Sequence, residues 1–201
     1  MPRKPGEIRK DEILAAAREL IFGEGFGNFT VRTVAARVGI SEAAIYRHFF
    51  SKEELMLGML DSLFIPWRKA IEELVAEKLA LAEKLQKLVV LHLHHLIDKQ
   101  LNPVLFFSEA IRPENERLLQ VMKNNLSFLK ECVRKIVASA QGSKIMMTDN
   151  DVEAATVCVV GVLQASVIRW TLQRNEVALL EDTTAQMLFL ARLLENKRKT
   201  K

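Results

Sequence analysis

The stretch FTVRTVAARVGISEAAIYRHFFSKEEL, Phe29 to Leu55, decides the fold. Thr30 is placed to cap a helix whose inner face is Val31, Val34, Ala35 and Val38, which leaves Arg32, Thr33, Ala36 and Arg37 outside. Phe29 and Val34 stand at the two positions of a hydrophobic staple. Gly39 breaks that helix, Ser41 caps the next, and Ile40 with Ile45 repeats the staple. Another start follows at Ser51, with Glu54 at capping-box spacing. On the helix after Ser41, Ile45 and Phe49 share one face, Ala43, Ala44 and Arg47 point the other way, and Tyr46 and His48 flank them. A helix that only covers a core usually shows Glu and Lys outside, paired one turn apart. Here the outer face is two methyl-sized residues beside a guanidinium, so a large molecule has room to come close.

Working outward, Asp11 to Gly23 carries Ile13, Ala17, Leu20 and Ile21 on one stripe and stops at GEGFG. Two short helices joined by a Gly-containing turn and backed by a preceding helix form a helix-turn-helix, in which the helix after the turn enters the major groove. From Thr30 to Lys52 the basic residues are Arg32, Arg37, Arg47 and Lys52, against the single acid Glu42, so this surface is cationic. Arg47 suits a bidentate contact to guanine, and Ala43 and Ala44 suit thymine methyls. Tyr46, His48, Lys52 and the capping Thr30 suit phosphates, which set the register. The expected DNA-contacting set is Thr30, Arg32, Ser41, Ala43, Ala44, Tyr46, Arg47, His48 and Lys52.

The run GEGFGNFTVRTVAARVGISEAAIYRHFFSKEEL, with the helix before it, resembles the amino-terminal DNA-binding domain of TetR-family transcriptional repressors. The likeness covers roughly residues 8 to 60 and rests on Gly-aromatic, Phe-Thr, Ala-x-x-x-Gly-Ile-Ser, Tyr-x-His-Phe and Lys-Glu-x-Leu pieces in the family's order and spacing. Phe50 and Ser51 depart from the polar residues the family often has there. The resemblance implies contacts from Tyr46 and His48 to the DNA backbone. It also implies an all-α chain with a three-helix DNA-binding domain, expected at 1–55, and a helical effector-binding and dimerisation domain, expected at 56–201. The function implied is a repressor that binds a palindromic operator as a homodimer and is released by a small molecule. The long helix from Lys52 is expected to carry that signal. The alternative on the same scaffold is a nucleoid or division factor that needs no ligand.

The rest of the chain is expected to be helical at Lys52 to Lys78, with a possible kink at Pro66, then Leu81 to Lys99, Pro103 to Ile111, Pro113 to Ala140, Asp151 to Gln173 and Thr183 to Leu194, with a loop at 141–150. Asp151 to Gln173 and Thr183 to Leu194 are apolar nearly all round, and such helices need cover on every side. A second copy is the economical cover, through Val159, Val160, Leu163, Val167, Leu188 and Leu190. Polar groups that interrupt apolar helices suggest an effector pocket lined by Trp67, His92, Phe106, Phe107, Glu109, Gln164 and Trp170, for an apolar or amphipathic ligand.

In HLHHL, His92 falls on the buried stripe, His95 at its edge and His94 towards solvent. No third ligand follows at a diagnostic spacing, so neither a metal nor a cofactor is expected. The chain has no Gly-rich phosphate loop, nucleophile elbow or recognisable carboxylate pair, and no enzyme is expected. Cys132 and Cys158 are lone cysteines in helical patterns, which fits a reducing cytoplasm. The basic amino terminus passes straight into charged helix, and the longest uncharged stretch, Ala154 to Ile168, is short for a bilayer, so no membrane is expected. The net charge of +4 permits a polyanionic partner without requiring one.

Overall fold

The computed structural model describes residues 5–99, 101–139 and 148–196. The start of the basic arm, most of the loop expected at 141–150 with Met146 and Met147, and the terminal Lys197 to Lys201 lie outside the described residues. Among the described residues the secondary structure is all helical: α1 Pro5–Glu24, α2 Val31–Val38, α3 Glu42–Tyr46, α4 Lys52–Ala76, α5 Leu81–Asp98, α6 Pro103–Ala110, α7 Glu116–Ser139, α8 Asp149–Gln173 and α9 Glu176–Asn196. Short 3-10 turns at Phe26–Asn28 and Pro113–Asn115 precede α2 and α7. The chain divides into two compact units, Met1–Pro66 and Trp67–Lys201, with the division inside α4. α4 is helical through Pro66.

In the first unit α1 packs on α2, and α2 on α3. Ile13, Ala17 and Ile21 of α1, Phe29, Val34 of α2, Ile45 of α3 and Leu55 and Met59 of α4 are all buried, while Val38, expected on the inner face of α2, is half-buried. Gly39 ends α2 in the left-handed conformation, φ 73°, which lets the chain turn sharply into α3. The start of α4 differs slightly from a capping box. Ser51 Oγ accepts from Glu54 N at 3.0 Å, but the Glu54 carboxylate reaches one residue further back and accepts from Phe50 N at 2.6 Å. Gly58 has no room for a side chain, because a Cβ there would lie 2.9 Å from the ring of buried Phe49.

In the second unit α5 packs on α9, α7 on α8, and α8 on α9. The core comprises Leu85, Leu88, Val89 and Leu93 of α5, Val133, Ile136 and Val137 of α7, Val159 and Leu163 of α8, and Met187 and Ala191 of α9. Two helices begin earlier than the apolar pattern suggested, and local caps explain both. Thr148 caps α8, accepting from Asp151 N at 3.2 Å while Asp151 accepts from Thr148 N. Asn175 Oδ1 accepts from Ala178 N to open α9, directly after Arg174 closes α8 with φ 52°.

Lys84 is buried, yet its ammonium donates to the Val75 carbonyl at 2.9 Å, near the carboxy-terminal end of α4 where the helix dipole favours a cation. α8 has a mean hydropathy of 1.6 over its most apolar window and would pass for a membrane span by length and composition alone. The fold uses it otherwise, with one side buried against α7 and α9 and the buried hydroxyls of Thr156 and Ser166 returned to Val152 and Leu163 carbonyls.

Gly58→Ala is expected to destabilise the first unit by about 1–3 kcal/mol, because the added methyl must displace a close-packed ring. Chemical denaturation checks it, and an unchanged midpoint contradicts the Phe49 packing.

Candidate nucleic-acid interface

In α3 Ile45 is the buried residue, while Glu42, Ala43 and Tyr46 are exposed and Ala44 is half-buried. Thr30 caps α2 through a reciprocal pair with Thr33: Thr33 N donates to Thr30 Oγ1 at 3.1 Å, and Thr30 N to Thr33 Oγ1 at 3.0 Å. Ser41 caps α3, accepting from Ala44 N at 3.2 Å. Both cap residues spend part of their hydrogen-bonding capacity on the backbone, so each first serves to fix a helix start.

Arg32, Ala43, Tyr46, Arg47 and Lys52 are exposed, while Ala44 and His48 are half-buried. α3 is shorter than its pattern, ending at Tyr46, so Arg47 and His48 occupy the turn that follows. That turn stays tight because Phe49 N donates to the Ile45 carbonyl at 3.0 Å and Phe49 is buried.

The charges on this unit separate into two sets. Arg37 is paired with Glu24 and Glu19, and so leaves the cationic surface the sequence suggested. Arg32, Arg47 and Lys52 meet no carboxylate within ion-pair distance among the described residues, and the Lys52 ammonium lies 5.3 Å from the centre of the Phe29 ring. Phe50, next to Lys52, is 86% exposed, an unusual position for a phenylalanine and one that the sequence showed only as a departure from a polar pattern.

The residues expected to line a pocket fall in separate places of the second unit. Trp67 and His92 come together, with ring centres 6.0 Å apart, and His95 and Phe128 complete the cluster at 5.9 Å from Trp67. Beside it Arg68 lies over the Phe128 ring and donates twice to Asn125 Oδ1, at 2.9 and 2.6 Å. Phe107 and Gln164 instead line a surface depression of about 340 Å³ with Val104, Ile168 and Leu172. Phe106 is core, and Trp170 Nε1 donates to the Leu101 carbonyl at 3.1 Å, which ties α8 to the loop before α6. Glu109 accepts from Asn115 Nδ2 and pairs with Arg112, so it closes the turn after α6. Arg68 and Asn125 carry no sequence signal, because an arginine and an asparagine on long helices read as solvated surface.

His92 is buried, and neither ring nitrogen has a hydrogen-bond partner among the described residues. Burial, with a smaller contribution from His95, lowers its pKa from 6.5 to about 4. His95 is lowered to about 4 as well, by burial and then Lys99, against a smaller opposing effect of Asp98. Both rings are neutral at physiological pH. Among the described residues no three His, Cys, Asp or Glu side chains gather at metal-binding spacing.

Burial also revises the dimer face. Val159, Leu163 and Val167 are inside the chain's own core, while Val160, Leu188 and Leu190 are half-buried, so the first three have no surface to offer a partner. The apolar residues that α8 and α9 expose are Val157, Ile168, Leu172, Val177, Phe189 and Leu193, each at least 50% exposed.

A family model described as "Bacterial regulatory proteins, tetR family" matches residues 13–59. The HTH-type transcriptional repressor KstR2 of Rhodococcus jostii (strain RHA1) is 30% identical over 153 residues, 73% of this chain and 72% of the relative. The chain belongs to the tetR family. Its matched segment is the one that holds the two short helices α2 and α3 joined at Gly39. The nucleoid occlusion factor SlmA of Aliivibrio fischeri (strain MJ11) is 37% identical over 125 residues, 58% of this chain, and the match spans 59% of that relative's length. The crystal structure of the regulator FadR from Bacillus subtilis in complex with stearoyl-CoA superposes with a TM-score of 0.72 at 21% identity, covering 90% of this chain and 97% of that one, a likeness of fold.

The depressed imidazoles give a test of the burial just described. A histidine held neutral in the fold binds fewer protons than in the unfolded chain between its folded and unfolded pKa values. The stability it contributes is therefore complete above 6.5 and is lost as pH falls towards 4. His92 alone is expected to remove on the order of 2–3 kcal/mol over that window. Denaturation at a series of pH values should show a shallower acid slope in His92→Phe than in the wild type; equal slopes contradict the buried neutral ring.

Proposed function

We propose that this protein is a transcriptional repressor that binds a palindromic operator as a homodimer in the cytoplasm and is released by a small amphipathic effector. The observation that carries the proposal is the set of exposed cations in the helix-turn-helix, Arg32, Arg47 and Lys52, which meet no carboxylate within ion-pair distance among the described residues, while Arg37 on the same unit is neutralised. With α3 in the major groove, Arg47 reads guanine through two parallel hydrogen bonds and the alanine methyls meet thymine methyls. Thr30, Arg32, Ser41, Tyr46, His48 and Lys52 hold the backbone, and Phe50 lies against a deoxyribose.

The dimer forms through α8 and α9. On α8 the exposed stripe runs Ala154, Val157, Gly161, Ala165, Ile168 and Leu172 at helical spacing, and its small residues let a second helix approach closely. Ala154, Cys158, Leu190 and Leu193 share an apolar furrow of about 190 Å³ with α9, which joins the two exposed stripes into one face. A second copy covers that face in a four-helix arrangement, with the two reading helices about one DNA turn apart, ~34–36 Å, or a multiple of it.

The effector binds the second unit around Trp67 and His92 and shifts the population between an operator-competent and a released form, with α4 as the element that transmits the change. The stearoyl-CoA in the FadR structure supports an amphipathic ligand. The nucleoid occlusion factors among the relatives favour a second possibility, a division factor that binds DNA without a ligand. Native mass spectrometry of the purified dimer, followed by operator binding with and without any co-purified molecule, separates the two. A molecule that dissociates the operator complex supports the repressor, and a ligand-free dimer with constant affinity supports the division factor.

Arg47→Ala is expected to cost about 1–3 kcal/mol of operator binding and to relax base preference. Lys52→Ala should weaken operator and random DNA alike and flatten the salt dependence by about one unit of slope. Titrations across a salt series check both, and wild-type behaviour of both variants removes α3 from the groove.

Phe189→Glu, at a site 56% exposed on the single chain, should fold normally and sediment as a monomer, since an unpaired carboxylate is not tolerated in a closed apolar interface. A stable mutant dimer contradicts the α8–α9 face.

A further inference from the structure

Asn125 on α7 is buried, at 6% exposure, and its two halves are treated differently. Its Oδ1 accepts both Nε and Nη2 of Arg68, which fixes the orientation of the amide, since a flipped side chain would point donors at donors. Its Nδ2 is thereby turned away from Arg68 and has no hydrogen-bond partner among the described residues. Arg68 is half-buried, and the partners it has are neutral: the Asn125 oxygen and the face of Phe128, 5.2 Å from its guanidinium carbon. No carboxylate lies within ion-pair distance of it among the described residues. Glu131, on the same helix as Asn125, is spent on Arg134 and Lys135. From this corner the ring of Phe128 leads to Trp67, and Trp67 to the unpartnered imidazole of His92.

A half-buried cation with no counter-charge and a buried amide donor with no acceptor are both costly, and both ask for the same thing, an oxygen carrying negative charge. A neutral ligand leaves the guanidinium uncompensated, and a cationic one is repelled by it. The aromatic path from Phe128 to Trp67 suits an apolar chain or ring.

We propose that Arg68 and Asn125 form the head-group subsite for an anionic amphiphile, whose carboxylate or equivalent oxyanion accepts from the free guanidinium N–H groups and from Asn125 Nδ2, with its apolar part along Phe128 and Trp67. His92, beside Trp67, gives one neutral hydrogen bond to a polar group on that apolar part. This deepens the effector site proposed above and rests on it for its regulatory meaning, while the binding preference stands or falls by itself.

The test is calorimetric titration of the full-length dimer with decanoate, decanol and decyltrimethylammonium, each below its aggregation concentration. Decanoate is expected to bind at least about tenfold more tightly than decanol, the difference one charge-assisted contact makes, and the cation most weakly. In Arg68→Met, decanol affinity should be retained and the preference for decanoate lost, and Asn125→Leu should reduce it. Equal binding of decanoate and decanol by the wild type, binding of neither, or a preference that survives in Arg68→Met overturns the proposal. Operator binding is measured separately. Decanoate selectivity without operator release upholds the subsite and removes the effector role, whereas release by decanol as readily as by decanoate upholds an effector response and removes the subsite.

Discussion

A helix of five residues does not hold itself together in water, because the nucleus costs more than so few hydrogen bonds return. α3, Glu42–Tyr46, is such a helix, and everything the first unit offers to DNA is mounted on it or beside it. It persists because Ile45 and Phe49 are buried, at 0% and 3% exposure, with Ser41 closing its start and Gly39 supplying the turn before it. Two side chains of this size contribute on the order of 1.5–3 kcal/mol each when fully buried, more than the helix can supply from propensity. The outer face is then free of any structural duty. It carries small residues and unpaired cations, the combination that fits a polyanion with a readable groove.

The second unit resolves its polar groups in a different way. Most are answered by main-chain carbonyls: Trp170 by that of Leu101, Thr156 and Ser166 by the turn before them, Lys84 by a helix end. His92, Asn125 and Thr183 are among the exceptions, buried with polar atoms that the described residues leave unanswered, and the first two lie along one path through Trp67, Phe128 and Arg68. A core selected for stability alone would place apolar residues of similar volume at these positions. For His92 and Asn125 that cost falls beside the proposed effector site.

What the sequence shows and what it hides follow from the range of the interactions. Caps and staples are local, so the starts at Thr30, Ser41 and Ser51 are legible from residues a few positions apart, and with them the helix-turn-helix. The start of α8 is hidden because the first turn after its cap, Thr148, is polar, and that of α9 because Glu181, Asp182, Thr183 and Thr184 separate its first apolar turn, Val177 to Leu180, from the longer apolar run. Which side of α8 is buried is hidden from the sequence for a related reason. A helix apolar all round gives no phase, so periodicity cannot say that Val159, Leu163 and Val167 face inward while Val157, Ile168 and Leu172 face outward. Arg37 looked like one more cation until the fold placed Glu19 and Glu24 beside it, and Arg68 looked like surface until α7 brought Asn125 to it. Pairings between distant segments decide which charges stay free.

The central claim is that two copies of the α3 face read one duplex. Selection of bound sequences from a randomised duplex pool by the purified full-length protein tests it most directly. Enrichment of two inverted half-sites, centred about one helical turn or a multiple apart, is the expected result. Binding with no enriched sequence, or enrichment of a single half-site at every protein concentration, would contradict it.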